Sequence, residues 1–402
     1  MQEFVVNPAE LFQRFSDEGE RLLGRVRDRV TAPEHVKRLR TWGIQEAAAL
    51  VGRTPQNLRQ MEVPEGKIGR RLGEAPRDNR GHRYYTLERI NGYRDLLGSR
   101  YHRPAGSRAI RCAVANFKGG AGKTTSCVHL AQKCALEGLA TLVIDLDPQA
   151  TLTLLFGLIP DLDVERDQTM TDVLVSNPQM LQDVIRPTYF TGIDLVPANL
   201  SLQDAELSLA NPRVNEQDRL GLHAIRRVDE ALKTVEGDYD VILFDCGPNL
   251  GILTLNAVHA ATGMVVPMQP AMADFGSAVL FWQTMATLME SPRFGKALDF
   301  LKVLITRHTG SAEAKQTEAM VRLAFRDHVI ESVMVQTVEI ERAGNDFGTV
   351  YEIQQPRGSA EAYRRAFDAL EAVNGELVEM FKRVWQTQAG AIERKREVSH
   401  VG

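Results

Sequence analysis

The sequence predicts an α/β fold, a mostly parallel sheet flanked by helices, preceded by a helix and a smaller basic unit. Three observations carry that expectation. The chain has 402 residues, enough for two to four domains at roughly 100–200 residues each. From Ile110 onward, short apolar runs alternate with longer helical patterns, the signature of parallel strands joined by crossover helices. Charge is also divided unevenly. Residues 1–108 carry 21 Lys and Arg against 14 Asp and Glu, whereas the remainder carries 27 against 38, so a net charge of −4 hides a basic unit joined to an acidic body. That asymmetry raises the question of nucleic acid.

Composition narrows the classes. Hydrophobic residues make up 44% and charged residues 25%, a globular balance rather than a disordered or fibrous one. No apolar run approaches the roughly 18 residues of a membrane span, and the opening MQEFVVNPAE has no basic-then-apolar leader pattern. Cys112, Cys127, Cys134 and Cys246 are too few and too scattered for a disulfide framework, and no CxxC pair suggests a metal. The expectation is a soluble, multidomain chain of the cytoplasm.

In chain order, residues 1–35 read as an amphipathic helix, with Leu11, Phe15, Leu22, Leu23, Val26 and Val30 at helical spacing. It either packs on a partner chain, as a dimerisation element, or docks back on its own domain. Residues 36–98 read as a compact module. An apolar helical face between Thr41 and Leu50 stops at Gly52; Thr54 suits an N-cap and Pro55 the first helical position of a second helix. That layout is a helix-turn-helix. A Gly/Pro/Arg-rich stretch from Gly66 to Gly81 follows, then the step Gly81-His-Arg-Tyr-Tyr-Thr86 and a last helix from Leu87 to Leu97. The order resembles the winged helix-turn-helix of MerR-like domains. On that reading Gln56, Asn57 and Arg59 face base edges, while Arg77, Arg80 and Arg83 reach phosphates from the wing. The other reading is a helical dimerisation domain with solvated arginines.

Residues 99–109 read as a polar linker. Candidate strands then run Ile110–Asn116, Thr141–Asp145, Ile193–Pro197, Val241–Asp245, Gly263–Pro267 and Leu301–Thr306, with helices over Lys123–Glu137, Arg219–Val235, Phe275–Met289 and Ala314–His328. The helix through Leu377, Phe381, Val384 and Trp385 reads as core or dimer packing.

The chemistry lies in Gly119-Gly120-Ala121-Gly122-Lys123-Thr124-Thr125, immediately after the first strand and opening a helix. Glycines let successive backbone N–H groups turn inward onto an anion, and the helix N-terminus adds partial positive charge. Lys123 would reach the β- and γ-phosphates, and the Thr124 hydroxyl is placed to ligate Mg²⁺.

Lys118 carries the resemblance. Lys118-Gly119-Gly120-Ala121-Gly122-Lys123-Thr124 matches K-G-G-x-x-K-[ST], the deviant Walker A motif of the ParA/MinD family, although Phe117 stands where an ordinary phosphate loop has its first glycine. Asp145-Leu-Asp147-Pro-Gln149 resembles the D-x-D-P-Q segment of ParA proteins, and Asp240 to Pro248 looks like a Walker B strand. Asn249 to Asn256 and Val266-Pro-Met-Gln-Pro270 continue the pattern, so the similarity spans about residues 110–370. The whole layout resembles the large, type Ia ParA proteins, especially the RepA proteins of repABC replicons.

The resemblance implies ATP and Mg²⁺ as cofactors, a homodimer with ATP sandwiched between subunits, and Lys118 donated to the opposing subunit's phosphates. It implies that Asp147 orients the attacking water, that Asp145 and Asp245 support the metal, and that Thr306 and Arg307 contact the adenine. It further implies non-specific DNA binding in the ATP state through basic residues such as Arg357, Arg364, Arg365, Lys382 and Arg383. A ParB-type centromere-binding partner, repression of its own operon and a nucleoid-associated location complete the expectation.

Three alternatives stay open: a membrane-recruited MinD-like switch, a metabolic or redox P-loop enzyme, and an ATP-responsive transcriptional regulator without a partition role. The first is poorly served by the polar surroundings of Arg394, Lys395 and Arg396, so no membrane partner is expected. Neither of the first two accounts for the basic N-terminal unit.

Overall fold

The computed structural model describes residues 8–31, 37–66, 69–211, 222–290, 294, 297–356 and 358–401. Helix α1 (Pro8–Thr31) stands first. The next unit comprises β1 (Trp42–Gly43), α2 (Ile44–Val51), α3 (Pro55–Met61), α4 (Gly69–Leu72), β2 (Tyr84–Tyr85) and α5 (Leu87–Leu97). The body contains strands β3 (Ile110–Val114), β4 (Thr141–Leu146), β5 (Arg186–Pro187), β6 (Ile193–Val196), β7 (Val241–Cys246), β8 (Gly263–Met268) and β9 (Phe300–Ile305). Its helices are α6 (Lys123–Leu136), α7 (Thr151–Leu155), α8 (Met170–Val175), α9 (Leu181–Val184), α10 (Leu202–Ala210), α11 (Leu222–Leu232), α12 (Ile252–Ala260), α13 (Met272–Glu290), α14 (Ala312–Phe325), α15 (Val338–Asn345) and α16 (Ala360–Val401).

The sheet order is β5-β6-β4-β7-β3-β8-β9, parallel except for β5 at one edge. The order reverses around β3, which lies between β7 and β8. Loops that leave the carboxyl ends of its neighbours therefore diverge there and open a crevice, as expected for a topological switch point in an α/β sheet. Both faces are covered. Cys112, Val114, Val143, Leu243 and Leu304 point into one core with α6 and α16, whereas Ala113, Leu142, Ile144, Ile242 and Phe244 point into the other with α8, α10, α11 and α12. Alternate residues of one strand thus serve opposite cores, which is why the strands read as unbroken apolar runs.

The expected elements fall close to their expected limits. β3 ends at Val114 rather than Asn116, α13 begins at Met272 rather than Phe275, and α14 ends at Phe325, with Arg326–His328 a separate 3₁₀ turn. The C-terminus is one 42-residue helix. Leu377, Phe381 and Trp385 are buried on it, as core residues.

In the N-terminal unit, Gly52 closes α2 at φ 71° and Thr54 caps α3 by accepting from Asn57 N. A hairpin follows, with Arg77 bridging Arg83 across a turn that Asp78 closes by accepting from the backbone N–H groups of Arg80 and His82. Trp42 and Tyr85 pair where β1 meets β2. Along α1 Phe12, Phe15 and Leu22 remain exposed.

Residues 99–109, which the sequence suggests as a linker, are pinned. Tyr101 stacks on Trp385, Trp385 Nε1 donates to Arg108 O, and Arg103 pairs with Asp240. Arg94 reaches from α5 to the carbonyl of Leu136 at the end of α6. One continuous core runs from the N-terminal unit into the body.

Candidate nucleotide site

The loop between β3 and α6 carries the site. Gly120 at φ 74° and Gly122 at φ 87° occupy the left-handed region, where a side chain would be strained. Three side chains hold the loop from outside. Asn116 Nδ2 donates to Pro267 O while its Oδ1 accepts from Lys118 N; Gln269 Nε2 donates to Gly120 O at 2.8 Å; and Thr306 Oγ1 donates to Ala121 O at 2.7 Å. The loop is thereby clamped to the ends of β8 and β9.

Lys123 Nζ lies 3.2 Å from the carbonyl oxygen of Lys118. Burial pushes its pKa down, and the charges of Asp245 and then Asp147 oppose that fall. Asp245 is fully buried, and neither of its oxygens makes a full hydrogen bond. Burial raises its pKa, Asp145 adds to the rise, and the Thr124 hydroxyl opposes it. An uncompensated buried carboxylate beside a threonine hydroxyl suits a divalent cation. Thr124 and Asp245 therefore fit Mg²⁺.

Asp145 differs from expectation. Thr153 donates to its Oδ2 through both backbone N and hydroxyl, and Asp147 N donates to its Oδ1. Its carboxylate is spent on holding α7 and the Asp147 turn, although it pairs in register with Asp245 across β4 and β7. Asp147 is half-buried and accepts from Gln149 N. It lines a cavity of about 650 Å³ with Gly119, Gly120, Gly122, Lys123, Thr124 and Thr125, in the range of small-molecule sites. The far wall comes from Leu154 and Leu155 on one side and from Met334 to Thr337 with Ile340, Glu341 and Asn345 on the other. Sequence reasoning missed this wall, which carries no motif.

Thr306 has a further part in the loop. It touches the cavity, but its hydroxyl is committed to the loop carbonyl and the residue is fully buried, so it shapes the loop. Arg307, at φ 50°, stays at the mouth, 3.9 Å from Glu341. Lys118 is half-buried, and its charge opposes the burial that raises the pKa of Asp274 in the first turn of α13.

Among the DNA-contact candidates, Gln56, Arg59, Arg77, Arg80, Arg364, Arg365 and Arg383 are exposed. Asn57 is half-buried: Thr54 caps its backbone N–H, and its side-chain oxygen is buried without a hydrogen-bond partner among the described residues. Arg83 bridges Glu62 at 3.2 Å and Glu74 at 3.3 Å, so it is a strut between α3 and the hairpin. Lys382 is held by Glu379 and Glu137. Arg357 lies outside the described residues.

A family profile described as an AAA domain matches residues 109–295. The chain is 34% identical over 370 residues, 88% of its length and 89% of the relative's, to "Putative replication protein A" of Sinorhizobium fredii. It is 33% identical over 371 residues, 88% of its length and 92% of the relative's, to "Protein SopA" of Escherichia coli K12. The chain belongs to the ParA/MinD family. As a member of that family it is a ParA/MinD-type ATPase. A solved structure titled "Partition Protein" superimposes with a TM-score of 0.60 at 19% identity, over 91% of this chain and 99% of that one, so the two share a fold.

Proposed function

We propose that the chain is a DNA-partitioning ATPase acting as an ATP-sandwiched homodimer. The observation that carries this reading is Lys118, which opens the loop without lining the cavity, whereas Lys123, Thr124 and Asp147 line it and Asp245 lies buried behind Thr124. The site within one chain has its phosphate lysine and its carboxylates. A second lysine at the start of the loop serves phosphates facing it from another copy, where it neutralises charge that would otherwise repel.

Mg²⁺ held by Thr124 and Asp245 would neutralise phosphate charge. Lys123 and the loop N–H groups bind the β- and γ-phosphates, with Gln269, Asn116 and Thr306 fixing the loop's shape. Asp147, at the end of β4, orients the attacking water, and Asp145 holds Asp147 and α7 in place through three hydrogen bonds.

The N-terminal unit acts as a winged helix-turn-helix that binds the operator of its own gene. Gln56 and Arg59 face the bases, and Arg77 and Arg80 on the hairpin meet phosphates. Arg364, Arg365 and Arg383 give the ATP-bound dimer a sequence-independent hold on nucleoid DNA through contacts that weaken with salt. A ParB-type centromere complex stimulates hydrolysis and releases the dimer. Nucleotide thus shifts the population between operator-bound and nucleoid-bound states. The test is ATP turnover with and without DNA and the partner encoded beside the gene. Stimulation by both supports the reading, and turnover indifferent to both removes the partition role while leaving an ATP-responsive regulator.

A further inference from the structure

Lys37 stands ahead of β1 of the N-terminal unit, and its ammonium is buried inside the ATPase body. Its side chain is 12% exposed, with Glu352 Oε2 at 2.6 Å, Phe347 O at 2.6 Å, Leu155 O at 2.8 Å and the Tyr189 hydroxyl at 2.8 Å. Gly157, at φ 88°, leaves the room: a Cβ there would meet the Lys37 side chain at 3.3 Å. A buried ammonium is tolerated only when it is paired and fully hydrogen-bonded.

The partners of Lys37 sit on the elements that wall the nucleotide cavity. Leu155 ends α7, which lines the cavity through Leu154 and Leu155 and is tied at its middle residue, Thr153, to Asp145. Phe347, at φ 53°, lies two residues beyond Asn345, the last cavity residue of α15. Glu352 Oε1 accepts from Gln132 of α6, from Tyr189 and from Thr349. On the same helix His129 donates through Nδ1 to Thr125 O at 2.7 Å and accepts at Nε2 from Val350 N, a tautomer assigned from those partners. Three routes therefore run from the cavity to one ammonium: Thr125 along α6, Leu154 and Leu155 on α7, and Asn345 beyond α15.

We propose that Lys37 is a positioning residue through which the N-terminal unit sets the walls of the nucleotide pocket, so that nucleotide occupancy and the seating of that unit are coupled. The proposal rests on the nucleotide reading above and names its regulation. Coupling of this kind is reciprocal: whatever Lys37 adds to nucleotide affinity, nucleotide returns to the docking of the unit.

The test uses the full chain, a fluorescent ADP analogue with Mg²⁺, and hydrogen exchange across residues 42–51. Lys37→Met removes the ammonium but leaves Glu352 buried and unpaired. Lys37→Met combined with Glu352→Gln removes both charges and keeps an acceptor for Gln132, Tyr189 and Thr349, so it preserves the fold. In the unmodified chain the analogue slows exchange across 42–51. In the double variant, at an unchanged melting temperature, affinity falls roughly fivefold or more and the exchange response disappears, while turnover at saturating ATP stays within about twofold. A double variant with unaltered affinity and an intact exchange response overturns the proposal and makes Lys37 a docking residue alone. Failure of the unmodified chain to bind the analogue would overturn the nucleotide reading instead, and the two results are distinct.

Discussion

The Lys123 ammonium and the carbonyl oxygen of Lys118 lie 3.2 Å apart across one turn of the loop. The lysine proposed to serve phosphates within the chain is thus braced by the backbone of the lysine proposed to serve a second copy. Lys123→Ala removes a charged donor aimed at the transferred phosphate, and such donors are worth about 10²–10³ in turnover. ATP hydrolysis in that variant should fall to background while the melting temperature holds; turnover within tenfold of the unmodified chain would contradict the assignment.

Thr306 tests whether the loop is held from outside. Its hydroxyl is buried and bonded to Ala121 O at 2.7 Å. Thr306→Val leaves that carbonyl without its donor, at a cost of about 1–3 kcal/mol read by urea unfolding. The KM for ATP should rise more than kcat falls, and Thr306→Ser should restore both. A fall in kcat alone would point to a role in the chemical step.

Glu62 and Arg83 separate architecture from DNA contact. Glu62 is fully buried and takes the Tyr93 hydroxyl at 3.0 Å and the Arg83 guanidinium at 3.2 Å. Arg83→Met strands that carboxylate and should lower stability by roughly 3 kcal/mol. Arg77→Ala and Arg80→Ala, both on the exposed hairpin, should leave the melting temperature unchanged and weaken binding to the upstream DNA of the gene. Each should also flatten the salt dependence by about one phosphate contact. Equal stability losses for all three would place Arg77 and Arg80 in the scaffold.

His129 gives a pH signature. Burial is the leading cause that lowers its pKa to about 4 from the ordinary 6.5, with Thr125 O and Glu352 opposing. The unfolded chain therefore takes up a proton between pH 6.5 and 4 that the folded chain refuses, and stability falls as pH drops through that window. Above pH 6.5 the residue contributes no slope. At pH 5 the loss is about 2 kcal/mol. Burial raises the pKa values of Asp145 and Asp245, which tilt the curve the other way, so the readout is a difference. Denaturant unfolding of the unmodified chain and of His129→Gln should diverge between pH 7 and pH 5, and parallel curves would rule out a neutral buried imidazole.

The phosphate loop was legible because its chemistry is local. Gly120 and Gly122 need left-handed backbone, Lys123 and Thr124 follow at once, and the strand before and helix after announce themselves by period. Thr54 and Gly52 were readable for the same reason, since a cap and a helix stop depend on neighbours in sequence. What escaped depends on distance. Lys37 meets partners 118, 152 and 310 positions away, and no pattern around residue 37 announces them. Met334 to Asn345 wall the cavity through shape alone. Asp145, Thr306 and Arg83 were residues of the right type in the right place, yet each spends its polar atoms on a protein neighbour, which only the fold reveals.

The central claim is that Lys118 works in trans, and a mixing experiment tests it most directly. Lys118→Ala and Asp147→Ala chains each keep Lys123 and the loop, but alone each lacks one of the two groups at every site. In a mixed dimer the Lys118→Ala chain keeps its own Asp147 and borrows Lys118 from its partner, which rebuilds one complete site. Two inactive preparations should recover roughly a quarter of the unmodified turnover on mixing, since about half the dimers are mixed and each has one working site. No recovery, with both variants dimeric and binding ATP, would place Lys118 in its own chain's site and contradict the sandwich.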